Sequence, residues 1–255
     1  MTGRRRFFVW AATTGLMVGM ASAHAWTWSF GSGKRVQGSG EVVSESRDLA
    51  PFESIRVAGH FKVRVRQEGR EGVTLQADRN LLPLIETQVT GTGSDRVLEI
   101  GIKPGYSLSG MRAPELLVDV KTLRGFALAG SGDVRIDALQ SERFELTLSG
   151  SGDVVLAGMQ VARLGVRLSG SGDVTASGRA ESLTIAVAGS GDVKAAELQA
   201  DEVRVSVAGS GDAQVQALRQ LKVSVAGSGD VRYKGSPQIE SSIAGSGSVR
   251  RLGSS

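Results

Sequence analysis

The chain has 255 residues, with 30 basic and 26 acidic side chains and a formal net charge of +4. Arg4, Arg5 and Arg6 supply most of that excess, so the remainder is nearly neutral and has no basic stripe of the kind that binds nucleic acid. A sequence without cysteine excludes disulfides, thiolate metal sites and a lipid-modified N-terminal cysteine, leaving burial and backbone hydrogen bonds to hold the fold.

The three arginines precede an apolar run from Phe7 to Met20 and then small residues, the layout of a secretory signal peptide. Two positions satisfy the small-x-small cleavage pattern, one after Ala23 and one after Ala25; the second sets the signal peptide at residues 1–25. The apolar core is short against the roughly twenty residues that span a bilayer. The expectation is an exported protein of the periplasm, outer envelope or extracellular space, with no transmembrane segment after cleavage. Residues 26–48 are rich in Gly, Ser and charge and read as a flexible linker.

Residues 49–252 read as one all-β unit, with divergent coils over 49–110 and regular repeats over 111–252. In the divergent part, Ile55-x-Val57, Val63-x-Val65 and Val73-x-Leu75 alternate apolar and polar residues as half-buried strands do. Leu81 to Val89 reads as a short helical cap limited by Pro83. Val57-Ala58-Gly59-His60-Phe61-Lys62-Val63 looks like a degenerate glycine corner with Phe61 in place of the second glycine, and Gly91-Thr92-Gly93-Ser94-Asp95 looks like another.

In the regular part, Gly-Ser-Gly-Asp begins at Gly130, Gly150, Gly170, Gly189, Gly209 and Gly227, and Gly-Ser-Gly-Ser begins at Gly245, with spacings of 20, 20, 19, 20, 18 and 18. Apolar residues alternate between the motifs, as in Phe144-x-Leu146-x-Leu148 and Val203-x-Val205-x-Val207, and a second short strand follows each motif, as in Val154-x-Leu156. So small a unit cannot bury its own apolar face, so coils must stack around a shared core as a β-solenoid or β-helix with coils of about 18–20 residues. Continuing the alternation through the motif turns Gly150 and Gly152 inward and Ser149, Ser151 and Asp153 outward. The same parity makes structural corners of Gly130, Gly132, Gly170, Gly172, Gly189, Gly191, Gly209, Gly211, Gly227, Gly229, Gly245 and Gly247.

The run Phe52-x-x-Ile55-x-Val57-x-Gly59-x-Phe61-x-Val63-x-Val65, then Val73-x-Leu75-x-Ala77-Asp78-x-Asn80-Leu81 and Ile85, then the Gly-Ser-Gly-Asp-Val repeats, resembles the auto-transporter adhesin head domain, also called the GIN domain, over roughly residues 49–250. The resemblance implies export, a right-handed β-helical fold and no established catalytic residues.

Stacking would align Asp133, Asp153, Asp173, Asp192, Asp212 and Asp230 in one column about a strand spacing apart. Like charges at that separation repel by roughly 0.9 kcal/mol per neighbour in water. Hydrogen bonds from corner N–H groups or from the corner serines would offset this and make the column structural. The column also suits a hard cation such as calcium, although the calcium-binding β-roll has a period of nine and a different glycine pattern. A polysaccharide-cleaving enzyme would need two carboxylates in unlike settings, whereas here each coil offers the same one. His60 is the one histidine past residue 25, too little for a serine triad inside a strand corner. The sequence therefore points to a non-enzymatic envelope module without a metal or other cofactor. Its Ser and Asp ladders would meet an extended glycan or an envelope protein. The last coil, with Ile243, Val249 and Leu252, has no evident cap, which points to homo-oligomers through an uncovered end.

Overall fold

The computed structural model describes residues 33–110 and 112–253, so the expected signal peptide and the start of the expected linker lie outside it. The first strands are β1 (Lys34–Gln37), β2 (Val42–Arg47), β3 (Ser54–Gly59), β4 (Lys62–Gln67), β5 (Gly72–Asp78), β6 (Ile85–Thr90), β7 (Val97–Ile102), β8 (Tyr106–Ser109) and β9 (Glu115–Val120). The repeats form β10 (Gly125–Gly130), β11 (Asp133–Asp137), β12 (Gln140–Gly150), β13 (Asp153–Gly170), β14 (Val174–Gly189), β15 (Val193–Gly209), β16 (Ala213–Gly227), β17 (Val231–Lys234), β18 (Gln238–Gly245) and β19 (Val249–Arg251).

The repeats build a parallel β-solenoid. Every pairing from β10 to β19 is parallel, and the corner glycines match one another from coil to coil: Gly130 with Gly150, then Gly170, Gly189, Gly209, Gly227 and Gly245. Strands β13 to β16 are long because each continues round a bend from one wall to the next, and the register shifts near Leu156, Thr175 and Ala195 mark that bend. The inward positions form continuous columns. Leu148, Leu168, Val187, Val207 and Val225 stack in one, and Val134, Val154, Val174, Val193, Ala213 and Val231 in another, all buried. Each valine or leucine of these columns stabilises the fold by roughly 1.5–3 kcal/mol, which is how coils with no core of their own hold together.

The N-terminal part stacks out of chain order. Strands β3 and β4 lie beneath β10 and β11, with Gly59 matched to Gly130 and Lys62 to Asp133, so Val57 to Val63 is a corner of the stack. On their other edges β3 and β4 pair with β7 and β9, which makes the later segment the outermost coil. The chain lays the second coil, travels outward to build the first, and returns where the Arg124 N–H donates to the Glu53 carbonyl at 2.7 Å. Antiparallel strands then cover the end: β5 beside β9, β2 beside β5, and β6 beside β7.

Three sequence expectations change here. Where a flexible linker was expected over 26–48, the described part holds two strands, β1 paired with β8 and β2 paired with β5. These strands carry few apolar residues because they are mostly exposed, and β2 is fastened by Arg47, which donates to the carbonyls of Ile85 (2.7 Å) and Leu82 (3.1 Å). The helical cap shrinks to one 3-10 turn at Leu82–Leu84, after which the chain is strand. Gly91 to Asp95 is no corner but the tip of the antiparallel β6–β7 hairpin, with a 3-10 turn at Gly93–Asp95.

Gly170 shows why the corner needs glycine: its φ is +127°, and a Cβ there would press into the Gly150 carbonyl. Gly170→Val is expected to lower stability by about 3 kcal/mol or more, through left-handed backbone strain plus collision. Gly72→Ala, at an ordinary φ with open space around the added carbon, should stay within about 0.5 kcal/mol; equilibrium denaturation of the two variants checks both.

Candidate functional site

The aspartate column follows directly from the stacking. Asp133 matches Asp153 across β11 and β13, and from Asp153 onward each carboxylate accepts a hydrogen bond from the coil above. The Asp173 N–H donates to Asp153 Oδ1 (3.2 Å), Asp192 to Asp173 (3.1 Å), Asp212 to Asp192 (2.9 Å) and Asp230 to Asp212 (2.9 Å). The series ends where Ser248 gives Asp230 Oδ1 both its N–H (3.0 Å) and its hydroxyl (2.7 Å). A hydrogen bond to a charged acceptor contributes roughly 1.5–3 kcal/mol, more than the roughly 0.9 kcal/mol of repulsion between neighbours. The donor is thus the next aspartate's own backbone; among the described residues only Ser248 adds a serine hydroxyl to this ladder.

Three of the second carboxylate oxygens meet cations of the same wall. Lys194 Nζ lies 2.7 Å from Asp173 Oδ2, and Arg232 sits between Asp212 Oδ2 (3.3 Å) and Asp230 Oδ2 (3.5 Å). The Lys194 hydrogen bond holds the Asp173 carboxyl below its usual value, and the Asp192 N–H adds to this. The Ser248 hydroxyl does the same for Asp230, helped by the Ser248 N–H and by Arg250 and Arg232. Among the described residues no three His, Cys, Asp or Glu side chains converge as metal ligands would. His60 Nδ1 lies 3.1 Å from the Ser131 carbonyl, to which it donates, and 3.2 Å from the Ser131 hydroxyl; it bridges two stacked corners.

The repeat is also broken at the other end of the column. Beside the N-terminal cap, a shallow groove of about 690 Å³ is lined by Lys62, Arg64, Arg135, Glu115, Asp133 and Asp153 over Leu117 and Val155. Glu115, Lys62 and Asp133 are direct neighbours in register, acceptor, donor and acceptor, and Arg64 and Arg135 lie side by side as two donors. Sequence reasoning missed it because Glu115 and Leu117 reach this wall only through the out-of-order coil. The signal for its other half was present, since the degenerate corner at Gly59 already aligns Lys62 with Asp133. The cap also buries Asp119 between Arg66 (2.8 Å) and Arg70 (2.9 Å), and Glu99 against Arg56 (2.6 Å).

Asp192→Ala would leave the part-buried Asp212 N–H without an acceptor and is expected to destabilise by about 1–2 kcal/mol, whereas Asp192→Asn keeps the oxygen and should be close to neutral. Asp173 and Asp230 have depressed folded-state pKa values, so the stability they lend is complete above the unfolded carboxylate value near 4 and is lost as pH falls through the lower folded value. Thermal unfolding followed across that acid range should show Tm falling below about pH 4, less steeply in Asp173→Asn.

Known structures share this architecture. A "putative adhesin" from Bacteroides fragilis is 24% identical and superposes with a TM-score of 0.79, covering 85% of this chain and 100% of its own. A "putative lipid binding protein" from Parabacteroides distasonis is 26% identical with a TM-score of 0.72, covering 86% and 100%. A "putative adhesin" from the same organism is 25% identical with a TM-score of 0.68 and the same coverage. No curated protein matches the chain. Residues 51–237 match the family described as "Putative auto-transporter adhesin, head GIN domain", and the chain belongs to that family.

Proposed function

We propose that the protein is an exported module of the cell envelope that binds an extended glycan or another envelope protein through its polar walls and performs no chemistry on it. The observation that carries this reading is the equivalence of the aspartates: from coil to coil the same oxygen is taken by the same backbone N–H. Acid–base catalysis needs two carboxylates whose environments push their pKa values apart, whereas the two ladder carboxyls that shift, Asp173 and Asp230, both move down. Membership of an adhesin-like family agrees with a surface role.

The groove at Arg64 and Arg135 is the natural place for such contact to concentrate. Its closely set donors and acceptors suit sugar hydroxyls, and Leu117 and Val155 offer an apolar floor for the carbon face of a ring. A screen of the purified protein against a glycan array and a panel of glycoside substrates tests the reading. Saturable binding without product release is expected; turnover of any substrate would establish the rival, a polysaccharide-cleaving enzyme. Arg64→Ala combined with Arg135→Ala should weaken glycan binding about tenfold, a loss of roughly 1.4 kcal/mol, with Tm little changed.

Calcium is the other rival. From Asp153 to Asp230 each Oδ1 is held by an N–H, and several Oδ2 atoms face Lys194 or Arg232, which leaves a wall far short of the six to eight oxygens calcium takes. Millimolar calcium is expected to leave Tm unchanged and to give no heat in calorimetry.

A further inference from the structure

The two ends of the solenoid differ. The N-terminal end is covered by antiparallel β2, β5 and β6. At the other end β18 pairs with β16 alone, and all eight of its residues are exposed. Two of them stand in core columns: Ile239 continues from Leu221 and Ile243 from Val225. Leu221 and Val225 are fully buried, whereas Ile239 and Ile243 are 44% and 42% exposed. Edge strands are normally guarded by inward charges, bulges or proline within the strand. Strand β18 carries only the outward Glu240, already bound to Lys222 at 2.8 Å.

We infer that this edge is an association surface for a second copy of the same chain, with β18 pairing antiparallel to the partner's β18 about a two-fold axis at Ser241. The register argues for a second copy because β18 is complementary to itself. In an antiparallel pair centred on Ser241, Ile239 lies opposite Ile243 on the inward face, twice over, and Glu240 lies opposite Ser242 on the outward face. Moving the centre by half a residue sets inward residues against outward ones. Moving it by one residue towards the N-terminus sets Glu240 against Glu240, and by one towards the C-terminus it leaves neither isoleucine facing the other. Only the Ser241 centre both closes the apolar columns and avoids like charges. Strand β19 is three residues long and ends in Arg250 and Arg251, so the pairing rests on β18. The pairing offers one strand of eight residues per partner, against roughly 20–30 residues a side in a standard stable interface, which makes the association reversible and concentration-dependent.

The chain has no native cysteine, which makes a direct test available. Residues opposite each other in an antiparallel pair have Cα atoms about 4.5–5.5 Å apart, within disulfide reach. Ser241→Cys should therefore oxidise to a covalent dimer at least about tenfold faster than Ser242→Cys, which would face Glu240. Adding Ile243→Lys to Ser241→Cys should abolish that advantage, and circular dichroism should show the fold intact because Ile243 is exposed. Sedimentation of the uncrosslinked protein should show mean mass rising toward twice the monomer between about 1 μM and about 1 mM, and staying monomeric with Ile243→Lys. Equal crosslinking of the two cysteine variants, a monomer throughout, or growth beyond dimers into fibres, which would mean head-to-tail contact with the capped end, would each overturn the proposal.

Discussion

Backbone lying on backbone at the glycine corner is the contact on which the structure depends. The Gly150 carbonyl accepts the N–H groups of both Ser171 (2.9 Å) and Gly172 (3.2 Å) from the next coil, and the Gly170 Cα sits directly over it. The same relation repeats up the column. A side chain at that point would separate the coils, and once they part, the inward columns lose their partners and the carboxylate ladder loses its donors. Core, ladder and corner are therefore one arrangement, set by a repeated close approach that only a residue without Cβ allows.

The ladder shows how a motif that looks like a binding site can be structural. A column of carboxylates is unfavourable when viewed as charges alone, yet each carboxylate replaces the inter-coil hydrogen bond that the turning backbone would otherwise lack. Individual contacts are then left to places where the repeat fails. Lys62 stands where an aspartate would be, and Arg64 and Arg135 lie side by side, so the groove beside the cap is the most individual surface on an otherwise uniform wall.

Much of this was legible in the sequence, and the failures have physical causes. Period-two alternation with a spacing near twenty leaves few ways to bury Leu148 and Val154 together, so the stack could be read directly; the alternation did not show that a side chain at Gly150 would meet the Gly130 backbone of the coil beneath it. The corner at Gly59 was legible despite Phe61 because its flanking valines kept the alternation. Strand β2 was not, since an exposed cap strand needs few apolar residues and its anchor, Arg47, is a charge. Gly91 to Asp95 misled because a hairpin tip and a solenoid corner ask for the same small residues. The inverted order of the first two coils leaves no mark on composition or periodicity at all, and with it went half of the groove.

That inversion gives the molecule unequal resistance to pulling. Tension on the C-terminus would act on β19 and β18 first and could peel coils away singly, each release exposing the next. Tension on the N-terminus meets strands whose neighbours in space are distant in the chain: β3 is gripped between β7 and β10, and β4 between β9 and β11. Once β1 and β2, each paired on one edge only, have come away, β3 and β4 cannot leave singly, so a load that reaches them is carried by several strands sliding at once. The capped end is the stronger mooring, and the open end is the one that yields.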